Sequence, residues 1–254
     1  MVVRLTLPQE QLIARVHDLV RDDDRLRAVL AYGSFVSGEG DEHSDVEFWL
    51  FTAADVNPRA WLAATGPASH VVVNEFGAHV AFFPGLIRGE FHFAPAREIA
   101  SVAGWPARGG AVDDMIVLDR TGELRRALEA LPAEPARPST PDEIDQLCGR
   151  FANWLVLAHH VERRGERLRS ADALAHARRH LLWMVRLAEK RTRHWLTPSR
   201  AFETDLPADV VTTLHQAASV ADLWAIGRRY WYRLAEPPEA LVAELDRAVG
   251  PKQI

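Results

Sequence analysis

The sequence predicts an α+β protein in two parts: an N-terminal domain built on a mixed β-sheet, and a C-terminal helical bundle. Three observations point there. Short β-branched and aromatic runs, separated by glycine and proline turns, recur between residues 26 and 118. A proline-spaced stretch, Pro132, Pro135, Pro138 and Pro141, then interrupts the chain. Beyond it, apolar residues recur almost throughout at helical spacing.

The elements follow in order. Pro8 opens a segment with apolar residues at Leu12, Ile13, Val16, Leu19 and Val20. That is the stripe of an amphipathic helix with proline in its first turn. Asp22-Asp23-Asp24 ends the pattern. A strand is expected from Leu26 to Tyr32, running into Gly33-Ser34, and another from Asp45 to Phe51. The polar link Ser37-Gly38-Glu39-Gly40-Asp41 lies between them. Val71 to Val73 and Ile87 to Phe93 read as further strands, with turns at Gly77 and Pro84-Gly85. In the second of these, Ile87, Gly89, Phe91 and Phe93 share one face, and Arg88, Glu90 and His92 the other. Met115 to Leu118 is the last expected strand, followed by a helix from Gly122 to about Leu131.

Prolines at every third position favour an extended, semi-rigid linker. The expected domains are therefore residues 1–132 and 140–254. The second opens on Thr140-Pro141-Asp142-Glu143, a capping-box pattern, ahead of Ile144, Leu147, Phe151, Trp154, Leu155 and Val161. A second helix is expected after Ser170, burying Leu174, Leu181, Leu182 and Val185. Ser219-Val220-Ala221-Asp222 reads as another helix start, and Pro237-Pro238 precedes the last helix.

Composition narrows the class. The chain of 254 residues is 48% hydrophobic and 26% charged, which suits a soluble globular protein with a substantial core. Thirty Lys and Arg against 35 Asp and Glu leave a net charge of −5, unlike a dedicated duplex nucleic-acid binder. A polyanionic substrate would need local positive charge or a metal ion. One cysteine, Cys148, excludes an internal disulfide and a multi-thiolate zinc site, and reads as a small buried apolar residue. Residues 1–8 are followed by charge and do not read as a signal peptide, and no apolar run suits a membrane helix. The expectation is a cytoplasmic protein.

The chemistry concentrates in residues 33–47. A glycine leaving a strand lets backbone approach a ligand, and Ser34 can offer its hydroxyl and N–H to phosphate oxygens. If a helix starts there, its N-terminus favours anions as well. Asp45 and Glu47, two apart in a strand, point to one face, while Val46, Phe48 and Leu50 fill the other. Two adjacent carboxylates beside apolar residues need positive charge between them. Mg²⁺ suits this pair, because it takes oxygen ligands, often one or two carboxylates plus substrate phosphates.

Gly-Ser, a link of about ten residues, then Asp-x-Glu entering an apolar strand resembles the nucleotidyltransferase fold. That fold usually adds a third carboxylate from a neighbouring strand. Glu90 is the candidate, as general base for an acceptor hydroxyl, with Glu75 as the rival. Arg88 is either a phosphate contact or a carboxylate's structural partner. His92 is more naturally a satisfied sheet histidine than a metal ligand.

Ala31 to Phe35, Gly38 to Asp41, Ser44 to Phe48 and Leu86 to Phe93 together resemble the lincosamide nucleotidyltransferases of the LinB type. Arg186 to Lys190 followed by Trp195-Leu196 is a weaker echo. The resemblance implies transfer of a nucleoside monophosphate, typically AMP, from Mg-ATP or another NTP to a hydroxyl of lincomycin or clindamycin. It implies metal ligation by Asp45 and Glu47, base catalysis by Glu90, triphosphate contacts from Gly33 and Ser34, and a homodimer. It spans most of residues 10 to 200 and thins beyond, and the helical domain, unusually rich in Arg and Ala, is where this sequence departs from the family.

In the second helix, Arg178, Arg179, Arg186, Lys190 and Arg191 form the main basic cluster. Most read as a solvated face, with Lys190 as a candidate nucleotide contact. Trp154, Trp183, Trp195, Trp224 and Trp231 read mainly as core, with one or two available to line an acceptor pocket. An aminoglycoside acceptor, or a non-catalytic antitoxin-type module of the same fold, are the alternatives. The basic second helix argues against a polycationic acceptor, and the three carboxylates on a fused helical domain argue for an enzyme.

Overall fold

The computed structural model of the chain describes residues 7–249. Residues 1–6, part of the segment read above as no signal peptide, lie outside the described residues, as do 250–254. The chain divides into two compact units between Glu134 and Pro135.

The first unit is α+β. Its elements are α1 (Pro8–Asp22), β1 (Leu26–Tyr32), β2 (Val46–Thr52), α2 (Pro58–Thr65), β3 (His70–Val73), β4 (His79–Phe83), β5 (Ile87–Pro95), α3 (Val112–Met115), β6 (Ile116–Asp119) and α4 (Glu123–Glu129). A 3₁₀ helix, Ala96–Gly104, follows β5. Among the described residues the strands form one six-stranded sheet in the order β3-β4-β5-β2-β1-β6. It is mixed: β2 and β5 run parallel, and every other pair is antiparallel.

Alternation along the strands divides the core in two. Leu26, Val29, Val46, Phe48, Leu50 and Phe91 pack on one face with Leu12, Val16 and Val20 of α1 and Trp61 and Leu62 of α2. Ala28, Leu30 and Phe51 pack on the other with Ile99, Val102, Met115, Leu124 and Leu128. The period-two spacing of side chains in β2 therefore serves both layers at once. Met115 closes α3 instead of opening the last strand, which begins one residue later. With four helical residues, α3 is too short for periodicity to reveal.

The second unit is helical: α5 (Pro141–Arg163), α6 (Arg167–Ala188), α7 (Phe202–Asp205), α8 (Ala208–Gln216), α9 (Val220–Leu234) and α10 (Glu239–Val249). The capping box forms as expected. Thr140 Oγ1 accepts from the Glu143 N–H at 3.3 Å, and Glu143 Oε2 accepts from the Thr140 N–H at 3.0 Å. Ser219 and Asp222 repeat the arrangement at the start of α9. The helix α6 begins before Ser170, not after it. Ser170 is buried there and donates to the Ala158 carbonyl of α5 at 3.2 Å, tying the two helices together. Trp224 and Trp231 are core residues, and Cys148 is fully buried, with its thiol pushed up to about 12 by that burial.

Arg186 departs from the solvated basic face. It is fully buried, where a charge requires complete pairing. Its guanidinium donates to the carbonyls of Pro198 (2.6 Å), Arg191 (2.9 Å) and Arg200 and to the Asp205 carboxylate (3.0 Å). It lies 5.4 Å from the Phe202 ring centroid. One side chain thus gathers the irregular segment between α6 and α8.

Candidate active site: a carboxylate row on the sheet

Strand register brings the site together. In β1, Tyr32 is paired with Glu47 of β2, and Glu47 is paired with Glu90 of β5. The three side chains form one row across three strands, on one face of the sheet. Asp45 stands immediately before β2, and Arg88 immediately before the Gly89 that pairs with Val46. Parallel pairing thereby places Arg88 against Asp45.

Arg88 spans two of the carboxylates. One guanidinium nitrogen pairs with Asp45 Oδ2 and another with Glu90 Oε2, the latter at 2.5 Å. The positive charge that the acidic pair demanded is in part supplied by the chain itself. Of the two expected roles for Arg88, the structure displays the carboxylate partner.

The other oxygen of Glu90 is held as well. Tyr32 donates its hydroxyl to Glu90 Oε1 at 3.3 Å, and His92 Nε2 lies 3.2 Å from the same atom. The His92 ring stacks on Trp49 at 4.0 Å with 3° between planes, which fixes its orientation. Burial pushes the Tyr32 phenol well above its ordinary value, and the nearby charges of Glu90 and Glu47 add to the rise. Burial lowers His92 despite its carboxylate neighbour, keeping the ring neutral near pH 7. This is the pattern of a sheet histidine satisfied by a carboxylate. Glu75 is exposed in the turn between β3 and β4, two strands from β2, and does not join the row.

Gly33 is required twice. Its φ is +81°, in the left-handed region that glycine tolerates. A Cβ there would also fall 1.4 Å from Glu47 Oε2, so the Glu47 carboxylate rests on the bare Cα. Ser34 follows, buried, and no regular helix starts from it. The backbone instead makes isolated turns, with Ser37 N–H donating to Gly33 O at 3.0 Å and Glu39 N–H to Ser34 O at 2.8 Å. The helix N-terminus considered above is absent among these residues. Phe35 folds back over Gly40, where a Cβ would fall 2.5 Å from its ring.

A cavity of about 460 Å³ adjoins Glu47 at the strand ends. Ile13 and His17 of α1, Tyr32, Phe35 and Phe48 are among its walls, and Asp114 of α3 reaches it too.

Among the described residues no three His, Cys, Asp or Glu converge as a metal cage. Asp45 and Glu47 remain a two-carboxylate, all-oxygen set, which fits Mg²⁺ completed by substrate phosphates and fits no soft metal. Lys190 belongs to the other unit. It is exposed at φ +55° where α6 ends, with Arg191 N–H donating to Arg186 O at 2.9 Å. That left-handed position is a helix-ending role in its own right. In the same unit, Trp183 and Trp195 line a cavity of about 470 Å³, with Trp183 Nε1 donating to Trp195 O at 2.7 Å.

Sequence reasoning missed Tyr32, Trp49 and His17. Tyr32 adjoins the Gly-Ser motif, but its place opposite Glu47 depends on antiparallel register, which no local signal carries.

Residues 140–248 match the lincosamide nucleotidyltransferase-like C-terminal domain family. The helical unit is thus similar to the C-terminal domain of that family. The match lies within the helical unit, whereas the carboxylate row lies in the N-terminal one. No curated protein matches the chain in sequence. Among solved structures, an aminoglycoside 6-adenyltransferase from Bacillus subtilis is 15% identical, covers 96% of this chain and 98% of its own, and has a TM-score of 0.42. A nucleotidyltransferase-like protein from Exiguobacterium sibiricum is 14% identical, covering 94% and 76%, with a TM-score of 0.29. A Thermotoga maritima CCA-adding enzyme complexed with tRNA is 14% identical, covering 96% and 70%, with a TM-score of 0.35. No helix among the described residues is long and apolar enough to cross a membrane.

Proposed function

We propose that this chain transfers a nucleoside monophosphate, AMP by preference, from a nucleoside triphosphate to a hydroxyl of a lincosamide antibiotic and so inactivates it. The observation that carries the proposal is the row Tyr32–Glu47–Glu90, with Asp45 tied in by Arg88, beside the Gly33-Ser34 turn. The family match of the helical unit supports the choice of acceptor. In this reading the N-terminal unit holds the nucleotide, the helical unit serves acceptor binding and homodimer contacts, and the enzyme works in the cytoplasm on a small molecule.

Asp45 and Glu47 would hold Mg²⁺, which neutralises phosphate charge and orients the triphosphate. Gly33 and Ser34 would contact the phosphate oxygens. Glu90 accepts the proton of the acceptor hydroxyl, whose oxygen forms a new bond to the α-phosphorus as the bond to pyrophosphate breaks. Tyr32 and His92 hold Glu90 Oε1, which leaves Oε2 as the atom that meets the proton. Arg88 holds that oxygen in the structure, so it must yield Oε2 to the acceptor. A guanidinium released next to a triphosphate has phosphate oxygens as its natural partner. Lys190 is the proposed further nucleotide contact.

The test is incubation with Mg-ATP and a panel of lincosamides and aminoglycosides, read by mass spectrometry. A gain of one AMP on clindamycin or lincomycin is the expected result. Modification of aminoglycosides alone would overturn the acceptor, and no modification of any compound would overturn the activity.

A further inference from the structure

The buried stripe of α1 runs Gln9, Leu12, Val16 and Val20. Three of these positions are apolar, as the helical spacing demands, and the first is an amide. Gln9 is only 2% exposed, and a polar group so buried costs stability unless it is hydrogen-bonded. Its Nε2 donates to the Glu42 carbonyl at 2.8 Å and to the Ser44 carbonyl at 3.4 Å. Its Oε1 has no hydrogen-bond partner among the described residues, so the two N–H groups are what this side chain supplies. The turn that Gln9 grips is closed on itself. Asp41 Oδ1 accepts from the His43 N–H at 3.0 Å and from Ser44 Oγ at 2.7 Å, and the Ser44 N–H donates to Asp41 O at 3.2 Å.

The residue that follows this turn is Asp45. Glu47 is set by the sheet, paired with Tyr32 on one side and Glu90 on the other. Asp45 stands outside the ladder, because the β2–β5 register begins at Val46 and the β1–β2 register ends at Glu47. Strand pairing therefore fixes one of the two proposed metal ligands and leaves the other to its flank. Arg88 holds the Asp45 carboxylate, but the same guanidinium holds Glu90 and must yield it to the acceptor. Gln9 anchors the backbone before Asp45, through Ser44, without touching either carboxylate. Resting on the nucleotidyl-transfer reading above, we propose that Gln9 is a positioning residue, which ties the turn 41–44 to α1 and thereby sets the Asp45 carboxylate for Mg²⁺.

The test uses Gln9→Met, which keeps the length of the side chain and removes its donors. Hydrogen exchange of the full chain, without metal or nucleotide, is expected to speed about tenfold over residues 41–46, on the scale of one or two lost hydrogen bonds. The Mg-ATP Kd by titration calorimetry is expected to rise about tenfold, at the low end of the ~10–100-fold typical when a group that orients a metal ligand is lost. The Kd of ATP in EDTA is expected to stay unchanged. Leu12→Ala, one turn along the same stripe, is the control, expected to lower Tm and leave all three readings as in the unsubstituted protein. Ser44→Ala opens the same turn from the surface and is expected to shift the readings in the same direction, which keeps the test decisive should Gln9→Met not fold. Unchanged exchange would overturn the clamp. Faster exchange with unchanged Mg-ATP affinity would overturn the positioning role, as would equal weakening of ATP with and without Mg²⁺, or an equal effect from Leu12→Ala. Failure of the unsubstituted protein to bind Mg-ATP would remove the nucleotidyl-transfer reading and the metal role with it, an outcome distinct from failure of the clamp, which the exchange reads alone.

Discussion

Replacing Gly33 by alanine separates conformation from chemistry at one position. The backbone at Gly33 has φ +81°, and holding an L-residue in the left-handed region costs about 1–2 kcal/mol. The new Cβ would sit 1.4 Å from Glu47 Oε2, a contact that cannot persist. Glu47 yields cheaply in stability, because its carboxylate is the far end of a flexible side chain. It yields at high cost in function, because a displacement of about 1 Å at reacting groups can reduce rate about 100-fold. Gly33→Ala is thus expected to lower Tm by about 2–8 °C, at ~2–4 °C per kcal/mol for a chain of this size, while the protein stays folded. AMP transfer to clindamycin is expected to fall at least about 100-fold. The assays are a thermal melt and initial rates at saturating Mg-ATP. An unchanged Tm would refute the left-handed argument, and wild-type turnover would refute the placement of Glu47 at the reacting phosphate.

Further outcomes follow from the other residues of the site and core. Glu90→Gln is expected to abolish the chemical step while ATP affinity, by calorimetry, stays near wild type; normal turnover would move the base elsewhere. Asp45→Asn removes a partner of Arg88 and, on the proposed function, a metal ligand's charge, so Mg²⁺-dependent ATP binding is expected to weaken, and unaltered Mg²⁺ dependence would argue against that proposed ligand. Arg186→Met deletes four donated hydrogen bonds inside the helical unit and leaves Asp205 without its buried partner. A loss of about 3–5 kcal/mol is expected by urea denaturation, as for a broken buried pair; a loss under about 1 kcal/mol would contradict it. Burial lowers the pKa of His17, His79 and His180 from the ordinary 6.5. The unfolded chain therefore binds protons first on acidification, so their contribution is complete above pH 6.5 and is lost as pH falls through the lowered folded values. Tm is expected to decline from neutrality into mild acid, and a flat profile between pH 7.5 and 5.5 would refute the assignment.

The motif Gly33-Ser34 to Asp45-Val46-Glu47 was legible because each part rests on local rules: glycine after a strand, alternation within one, and carboxylates next to apolar residues. The faces of β5 were legible for the same reason, since period-two alternation needs no partner strand. Glu90 could be nominated from its own strand, but whether it stood beside Glu47 was a matter of pairing. Arg186 shows the limit from the other side. Its spacing within α6 is that of a basic surface residue, and only the returning segment at Pro198 to Asp205 converts that position into a buried hub.

The sequence by itself determined the two-part organisation, the capped starts of α5 and α9, and the chemical types at the candidate site. Those are properties of neighbours in the chain, where periodicity, proline and capping act over a few residues. Only the tertiary structure decided that β2 and β5 run parallel, that Tyr32, Glu47 and Glu90 share a row, and that Arg88 bridges Asp45 and Glu90. Register and charge pairing are settled by which faces must be buried together across segments up to 58 residues apart. No local pattern encodes that requirement; the packed sheet does.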